Sequence, residues 1–314
     1  MIDYSKFVEN SRKWLKKYIQ DNHLQSICVG ISGGIDSTVS CAIASPVCKE
    51  LGIPLIGRSL PTTTNKPDEN NIAILVGDAF CSDFKVENIS EECQKLIYEL
   101  ELKEGKMTNL QEGNIKARVR MVYLRHLASI HKGVVLDNDN FTEWNLGFWT
   151  VGGDSPMDIN LGLHYLWKTE IYELAKYLLE QYNIEWEALD DFETPEIAHK
   201  ADIACAQYEA LKASINLIPT DGNGVSNSDC DQFGLDNYEQ VDDVLKTMYY
   251  PKRPFMYEYK NWNKIDDDKF SNEYIRLIDS YNEQGVDKVM MLYQNTAYKR
   301  KELPIKPTRE ELGL

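Results

Sequence analysis

No apolar run in the 314-residue chain approaches about 18 residues, so the sequence predicts no membrane-spanning helix. The opening Met1-Ile2-Asp3-Tyr4-Ser5-Lys6 lacks a signal-peptide core. The seven cysteines form no Cys-x-x-Cys pair. Cys28 and Cys41 lie in apolar segments; with Cys48, Cys81, Cys93, Cys205 and Cys230 they read as small, reduced core residues, which places the protein in the cytoplasm. Positive charge is scarce: 34 Lys and Arg against 50 Asp and Glu give a formal charge of −16 and a pI near 4.8. The only dense basic run is Lys299-Arg300-Lys301, too little to neutralise a nucleic-acid backbone, so no nucleic-acid partner is expected. Five histidines (His23, His126, His131, His164, His199) show no motif, and none is assigned as a general base. What is plentiful is core material, 43% hydrophobic residues, enough for one large domain or two small ones.

One stretch organises the chain: Ile27-Cys28-Val29-Gly30-Ile31-Ser32-Gly33-Gly34-Ile35-Asp36-Ser37-Thr38-Val39. Ile27 to Ile31 read as a buried parallel strand and Ser37 onward as a helix, leaving Ser32 to Asp36 as the turn between them. Adjacent glycines let a backbone approach a phosphate closely, Ser32 and Ser37 offer hydroxyls, and the helix start adds free N–H groups and a positive dipole end. Asp36 would repel that phosphate unless a divalent cation lay between them, so the turn predicts bound Mg²⁺. Neither the Gly-Lys-Ser/Thr of a Walker loop nor the three spaced glycines of a dinucleotide turn is present.

Elsewhere the pattern alternates helix and strand. Phe7, Trp14, Leu15 and Ile19 predict an amphipathic first helix. Leu55 to Leu60 predict a second strand, 67–80 a helix, Lys85 to Ile89 a short strand, and 91–109 a partly helical segment. A long helix follows from Glu112 through Leu127, and Gly133 to Leu136 form another buried strand. In a doubly wound sheet the C-terminal strand ends carry the ligand, which brings Arg58 and the Thr62-Thr63-Thr64 loop toward it; a surface salt bridge serves Arg58 equally well. Arg118 and Arg120, two positions apart, do not share a helix face. Asp137-Asn138-Asp139-Asn140-Phe141-Thr142-Glu143 would project over the same sheet edge as Asp36, making a metal shared by Asp36 and Glu143 reasonable, with capping or solvated roles for Asp137 and Asp139. Lys168, near a helix start, opposes the dipole unless an anion accompanies it, which favours a phosphate contact.

The Ser-Gly-Gly-Ile-Asp-Ser turn resembles the pyrophosphate loop of the N-type ATP pyrophosphatases, which imply an adenine nucleotide alpha-hydrolase-like fold: an α/β doubly wound parallel sheet flanked by helices. Within that superfamily the order of motifs is similar to ammonia-dependent NAD synthetase. The matches are Gly30 to Ser37, Arg58-Ser59-Leu60-Pro61, Gly113 to Met121, Gly147-Phe148-Trp149-Thr150, Gly153-Asp154, Asp158, Lys168, Ile218-Pro219-Thr220, Tyr238 to Asp243 and Lys299-Arg300. The resemblance implies adenylation of the nicotinate carboxylate of deamido-NAD by ATP, then displacement of AMP by ammonia. It implies a homodimer with sites at the subunit boundary. ATP would be held by Gly30, Ile31, Ser32, Gly33, Gly34, Ile35, Asp36, Ser37, Arg58, Asn138, Lys168 and Thr220. Mg²⁺ would fall to Asp36 and Glu143, and deamido-NAD to Arg118, Val151, Asp158, Tyr298 and Lys299.

The chain departs from the family pattern in three places. Asp137-Asn138 stand where the family has Gly-Thr, adding a charge and removing glycine's backbone freedom; Asn138 retains hydrogen-bonding groups. Val151 replaces a lysine expected near deamido-NAD, which raises two alternatives: a related amidating enzyme with another acceptor, or a nucleotide-binding homologue without catalysis. The connection at 185–216 is long; Ile203 to Ile215 read as an added helix, and Gly222 to Asp231 as a polar mobile lid. The expected organisation is one domain, 1–314, with a helical insertion and lid at 185–231 and a substrate-contacting tail at 294–314. Only one helix precedes the phosphate turn, so ammonia is expected from solution or from a separate donor protein.

Overall fold

The computed structural model describes residues 2–187, 195–218, 228–249, 268–296, 299 and 306–314. Five parallel strands form one sheet: β1 (Ser26–Gly30), β2 (Leu55–Ser59), β3 (Asp83–Val86), β4 (Gly133–Asp137) and β5 (Ile159–Asn160), in the order β3-β2-β1-β4-β5. Strand period 2 sends alternate residues to opposite faces, so a sheet covered on both sides reads as continuously apolar. Ile27 and Val29 join Leu55, Leu136 and Ile159 in the larger core, which helices α1 (Tyr4–Asp21), α2 (Ile35–Leu51), α3 (Pro67–Phe80) and α7 (Lys168–Glu187) complete. Cys28, Ile56 and Val135 face the other side, against Leu124 and Ala128 of α5 (Asn109–Ile130) and Cys93 of α4 (Ser90–Glu104). A third cluster joins Leu146 of α6 (Phe141–Leu146) to Phe233, Val241, Val244, Val286 and Val289. Those residues come from α9 (Asp229–Phe233), α10 (Tyr238–Tyr249) and α12 (Glu283–Asn295), while α11 (Asp268–Ser280) adds Tyr274 and Leu277.

The expected doubly wound sheet is present. The third strand starts earlier than the reading at Lys85, because Asp83 and Phe84 already pair with Ile56 and Gly57. Two-residue β5 is too short to show a period and escaped the sequence. The added helix runs longer than 203–215: α8 spans Pro195–Asn216. Of the expected lid, 222–227 lie outside the described residues, whereas Ser228 caps α9 through a capping box with Asp231, so 229–231 are helical. The C-terminal residues return to the first helix: α13 (Arg309–Leu312) buries Leu312 in the core that holds Phe7. Of the expected tail at 294–314, residues 297, 298 and 300–305 lie outside the described residues.

All seven cysteines are free thiols, and Cys28, Cys41, Cys48 and Cys93 are buried. Among the described residues no helix is long and apolar enough to cross a membrane.

Candidate active site

β1 is flanked by β2 on one side and β4 on the other, so chain direction diverges there and a crevice opens between the C-terminal ends of β1 and β4. That geometry brings together two loops remote in sequence: the turn after β1 and the start of α6 after β4. Gly33 has φ +85, and a Cβ there would stand 2.5 Å from the Glu69 carbonyl oxygen, so only glycine fits. Ser32 Oγ accepts from the Gly34 N–H at 3.2 Å and lies 3.4 Å from Ser37 Oγ. Ser37 Oγ itself donates to the Gly34 carbonyl at 3.0 Å. Hydroxyls, backbone N–H groups and the α2 N-terminus thus converge on one concave turn.

Asn140 caps α6, accepting from the Glu143 N–H at 3.0 Å. Its amide nitrogen meanwhile donates to Asp36 Oδ1 at 2.8 Å. One capping residue therefore both aims Glu143 and ties it to the glycine turn. Between the two carboxylates sits the Lys168 ammonium, 2.5 Å from Asp36 Oδ2 and 2.9 Å from Glu143 Oε1. Lys168 is 3% exposed and its Nζ lies 5.4 Å from the Tyr238 ring centroid. Its backbone is fixed by Thr142, whose Oγ1 accepts from the Lys168 N–H at 2.8 Å and donates to Asp242 Oδ1 at 2.5 Å. Asp242 also accepts from the Thr169 N–H at 2.9 Å.

Electrostatics follow from that geometry. Burial, then the charge of Asp36, pushes the Glu143 carboxyl up to about 7, with Lys168 opposing the shift. Burial alone would lower the Lys168 ammonium, but Asp36 and Glu143 outweigh it and hold the group well above its ordinary 10.5. The lysine is therefore a permanent cation between two carboxylates, one of them poised near neutrality.

The other expected residues divide. Asn138 donates to the Gly30 carbonyl at 3.3 Å, at the root of the glycine turn, and its buried Oδ1 has no partner. Arg58 is buried and turns toward β3: Nη1 reaches Asp83 Oδ1 at 3.0 Å and the Gly57 carbonyl at 2.7 Å. Arg118 and Val151 are neighbours, the guanidinium donating to the Val151 carbonyl at 3.3 Å, and Val151 is 41% exposed. Lys299 donates to the Gly147 and Trp149 carbonyls, each at 2.6 Å, and stands 5.3 Å from the Trp149 ring centroid. Asp158 pairs with Arg125 at 2.5 Å and accepts from the Val135 N–H at 2.8 Å. Thr220 and Tyr298 lie outside the described residues. The Thr62-Thr63-Thr64 loop lines a cavity of about 250 Å³ with Cys93, Glu101 and Lys116, shared with α4 and α5.

Asp137 stands in ordinary backbone, since positive φ outside glycine is confined to His23 and Lys132 among the described residues. The expected loss of glycine's freedom therefore carries no strain here. The carboxylate is fully buried and accepts from Ser155 Oγ (3.0 Å), the Met157 N–H (2.8 Å), Asn160 Nδ2 (3.1 Å), His164 Nε2 (3.1 Å) and the Asp139 N–H (3.1 Å). Asp137, Asp139 and His164 each offer one atom within 4.8 Å of the others, a possible metal group. With five donors on it, however, Asp137 is saturated as a hub joining β4 to β5. The Asp36 and Glu143 pair, all oxygen and already gathered about a cation, is the better match to a hard divalent ion.

The structure brings together Asp36, Glu143 and Lys168, which the turn, the shared sheet edge and a helix start each mark. Asn140, Thr142 and Asp242, which hold them, were missed as site residues. Asn140 was visible in principle, three positions before Glu143, as a capping box.

The fold and this site define an α/β protein in which a glycine-rich turn and two carboxylates meet at the switch point of a parallel sheet. Residues 7–186 match the family model described as NAD synthase, and the chain belongs to that family. It is 30% identical over 244 residues to an NH(3)-dependent NAD(+) synthetase of Finegoldia magna, covering 78% of this chain and 85% of that one. A Thermoplasma volcanium protein of the same description is 29% identical over 250 residues, covering 79% and 86%. Among solved structures, one described as NMN synthetase from Francisella tularensis shares the fold with a TM-score of 0.67 at 20% identity, covering 98% of this chain and 100% of that one. An NH3-dependent NAD synthetase from Campylobacter jejuni shares it with a TM-score of 0.51 at 21% identity, covering 70% and 99%.

Proposed function

We propose that the chain is an ammonia-dependent NAD synthetase. It joins the nicotinate carboxylate of deamido-NAD to the AMP moiety of ATP, releasing pyrophosphate, and ammonia then displaces AMP to give NAD. A carboxylate resists ammonia because its leaving group is poor, and adenylation replaces that group with AMP. The observation that carries the reading is the single ammonium of Lys168 bridging Asp36 and Glu143 beside the glycine turn. With a divalent cation between the two carboxylates and the phosphates, and the ammonium beside them, the arrangement suits a triphosphate.

In this mechanism the Ser32 to Ser37 turn binds the departing pyrophosphate through the Gly34 N–H, the serine hydroxyls and the α2 N-terminus. Lys168 supplies a cation to the phosphates. Asp36 and Glu143 would hold Mg²⁺, which supplies charge neutralisation of the phosphate oxygens when bound. Asn138, at the turn's root, is assigned to the nucleotide. Arg118, with the Val151 backbone beside it, and Lys299, on the Gly147 to Trp149 loop, are assigned to the acid substrate. Arg58 and Asp158 are committed to Asp83 and Arg125, so they serve the site through sheet geometry. No side chain is required as a general base.

Val151, an exposed apolar side chain beside Arg118, favours a second reading in which the same chemistry acts on a smaller or less charged nicotinate nucleotide. The proposal also includes a homodimer, a cytoplasmic location and free ammonia as the nitrogen source. The test is AMP release with ammonium and either deamido-NAD or nicotinic acid mononucleotide. AMP formed with deamido-NAD supports the main reading, turnover with the mononucleotide alone supports the second, and ATP binding without turnover of either overturns both. Asp36→Ala is expected to abolish turnover, and near-normal activity of that variant at ordinary Mg²⁺ would contradict the site.

A further inference from the structure

Helix α8 lies beyond the 7–186 stretch covered by the family model. It packs on α7, α3 and α2, and its last turn reaches the phosphate turn itself. Ser214, 1% exposed, donates from Oγ to the Gly33 carbonyl at 3.0 Å and meets Thr38 Oγ1 at 2.7 Å. Each hydroxyl has one proton. Thr38 Oγ1 stands 3.0 Å from the Gly34 carbonyl and 2.7 Å from Ser214 Oγ; the Gly34 carbonyl also receives Ser37 Oγ at 3.0 Å and the Thr38 N–H at 3.2 Å, so the shorter contact takes the Thr38 proton to Ser214, which passes its own to Gly33.

The consequence lies in the peptide between Gly33 and Gly34. A trans peptide is planar, with carbonyl and N–H pointing to opposite sides. A carbonyl held by Ser214 therefore turns the Gly34 N–H the other way, toward the concave side of the turn, where it meets Ser32 Oγ at 3.2 Å. Two glycines in succession are otherwise free to flip this plane. On the remaining side Gly33 is walled by α3, with Glu69 O and Ala73 N at 2.5 and 3.0 Å from where a Cβ would stand. α8 is anchored to that same helix, Gln207 Nε2 donating to the Ala79 carbonyl at 3.4 Å.

We propose that Ser214 is a positioning residue for the anion-binding turn: through the Gly33 carbonyl it sets the peptide whose Gly34 N–H faces the phosphates. The inference rests on the ATP-splitting reading but not on which acid is amidated. Its test is calorimetric titration with inorganic pyrophosphate, which uses neither acceptor nor ammonia, so a wrong acceptor leaves it intact. Ser214→Ala is expected to bind pyrophosphate roughly three- to tenfold more weakly, the effect of one lost buried hydrogen bond. The KM for ATP should rise by the same factor while the KM for the acceptor stays unchanged, and Ser214→Thr should restore both. Thr38→Val, which removes the hydroxyl that meets both Ser214 and the Gly34 carbonyl, should shift pyrophosphate affinity in the same direction. Unchanged pyrophosphate affinity in Ser214→Ala overturns the proposal. So does a loss of ATP and acceptor affinity in parallel with a lowered Tm, which a merely structural role would give.

Discussion

Asp137 shows how a residue that looks wrong at a site becomes a support for it. Its carboxylate holds Ser155, Asn160 and His164, all 1% exposed or less. Asp137→Ala would leave those buried donors unmatched at once, and an expected loss of about 3–5 kcal/mol in urea unfolding follows. His164 makes the pH dependence predictable. Burial holds its imidazole below the ordinary 6.5, against the pull of Asp137 and with the charge of Lys306 adding to the depression. Below 6.5 the unfolded chain therefore binds a proton that the folded protein resists. The contribution is fully present above 6.5 and lost as pH falls through the lowered folded value. Stability measured from about pH 7 to about pH 5 should fall, and His164→Gln should flatten that slope. At the carboxylate pair, Lys168→Met removes the cation between Asp36 and Glu143 and should raise the Glu143 titration above about 7, readable by NMR.

At the scale of elements, α2 carries Pro46 in its interior, which deprives the Ala42 carbonyl of its helical N–H. The structure repairs this from two neighbours: Arg12 Nη2 of α1 donates to that carbonyl at 3.2 Å and the Tyr182 hydroxyl of α7 approaches at 3.5 Å. Arg12→Met should accordingly cost about 0.5–1.5 kcal/mol by denaturant unfolding, without altering ATP affinity. Strands β1, β2 and β4 and helix α3 were legible because their signals are local: apolar runs between turns, and Pro67 with Asp68 and Glu69 at a helix start. Partnerships across the fold were not. Arg58 sits at the ligand-bearing end of β2, yet parallel pairing with β3 offers it Asp83, and the ion pair takes the guanidinium away. Asp158 was likewise claimed by Arg125 and the backbone of β4. Nothing at 203–215 in the sequence signals that Ser214 would reach Gly33, 181 positions earlier.

For the whole molecule, the sheet order explains why Asp36 and Asn140, 104 positions apart, touch at all: the two strands that precede them are neighbours at the switch point. The glycine turn alone predicts phosphate and metal; only the crossover that sets β4 beside β1 brings Asp36 to Asn140 and Glu143. Large apolar side chains remain exposed on α4 and α5, among them Leu102 (69%), Leu110 (64%), Val122 (59%) and Ile130 (60%). They support the proposed homodimer, and sedimentation is expected to give a dimer that Val122→Asp weakens. The most direct measurement of the central claim follows oxygen. With the nicotinate carboxylate labelled with ¹⁸O, attack on the α-phosphorus followed by ammonia displacement leaves one labelled oxygen in AMP. Label in AMP together with amide product is the predicted result; turnover that leaves AMP unlabelled, or that yields ADP and phosphate in its place, would contradict the account.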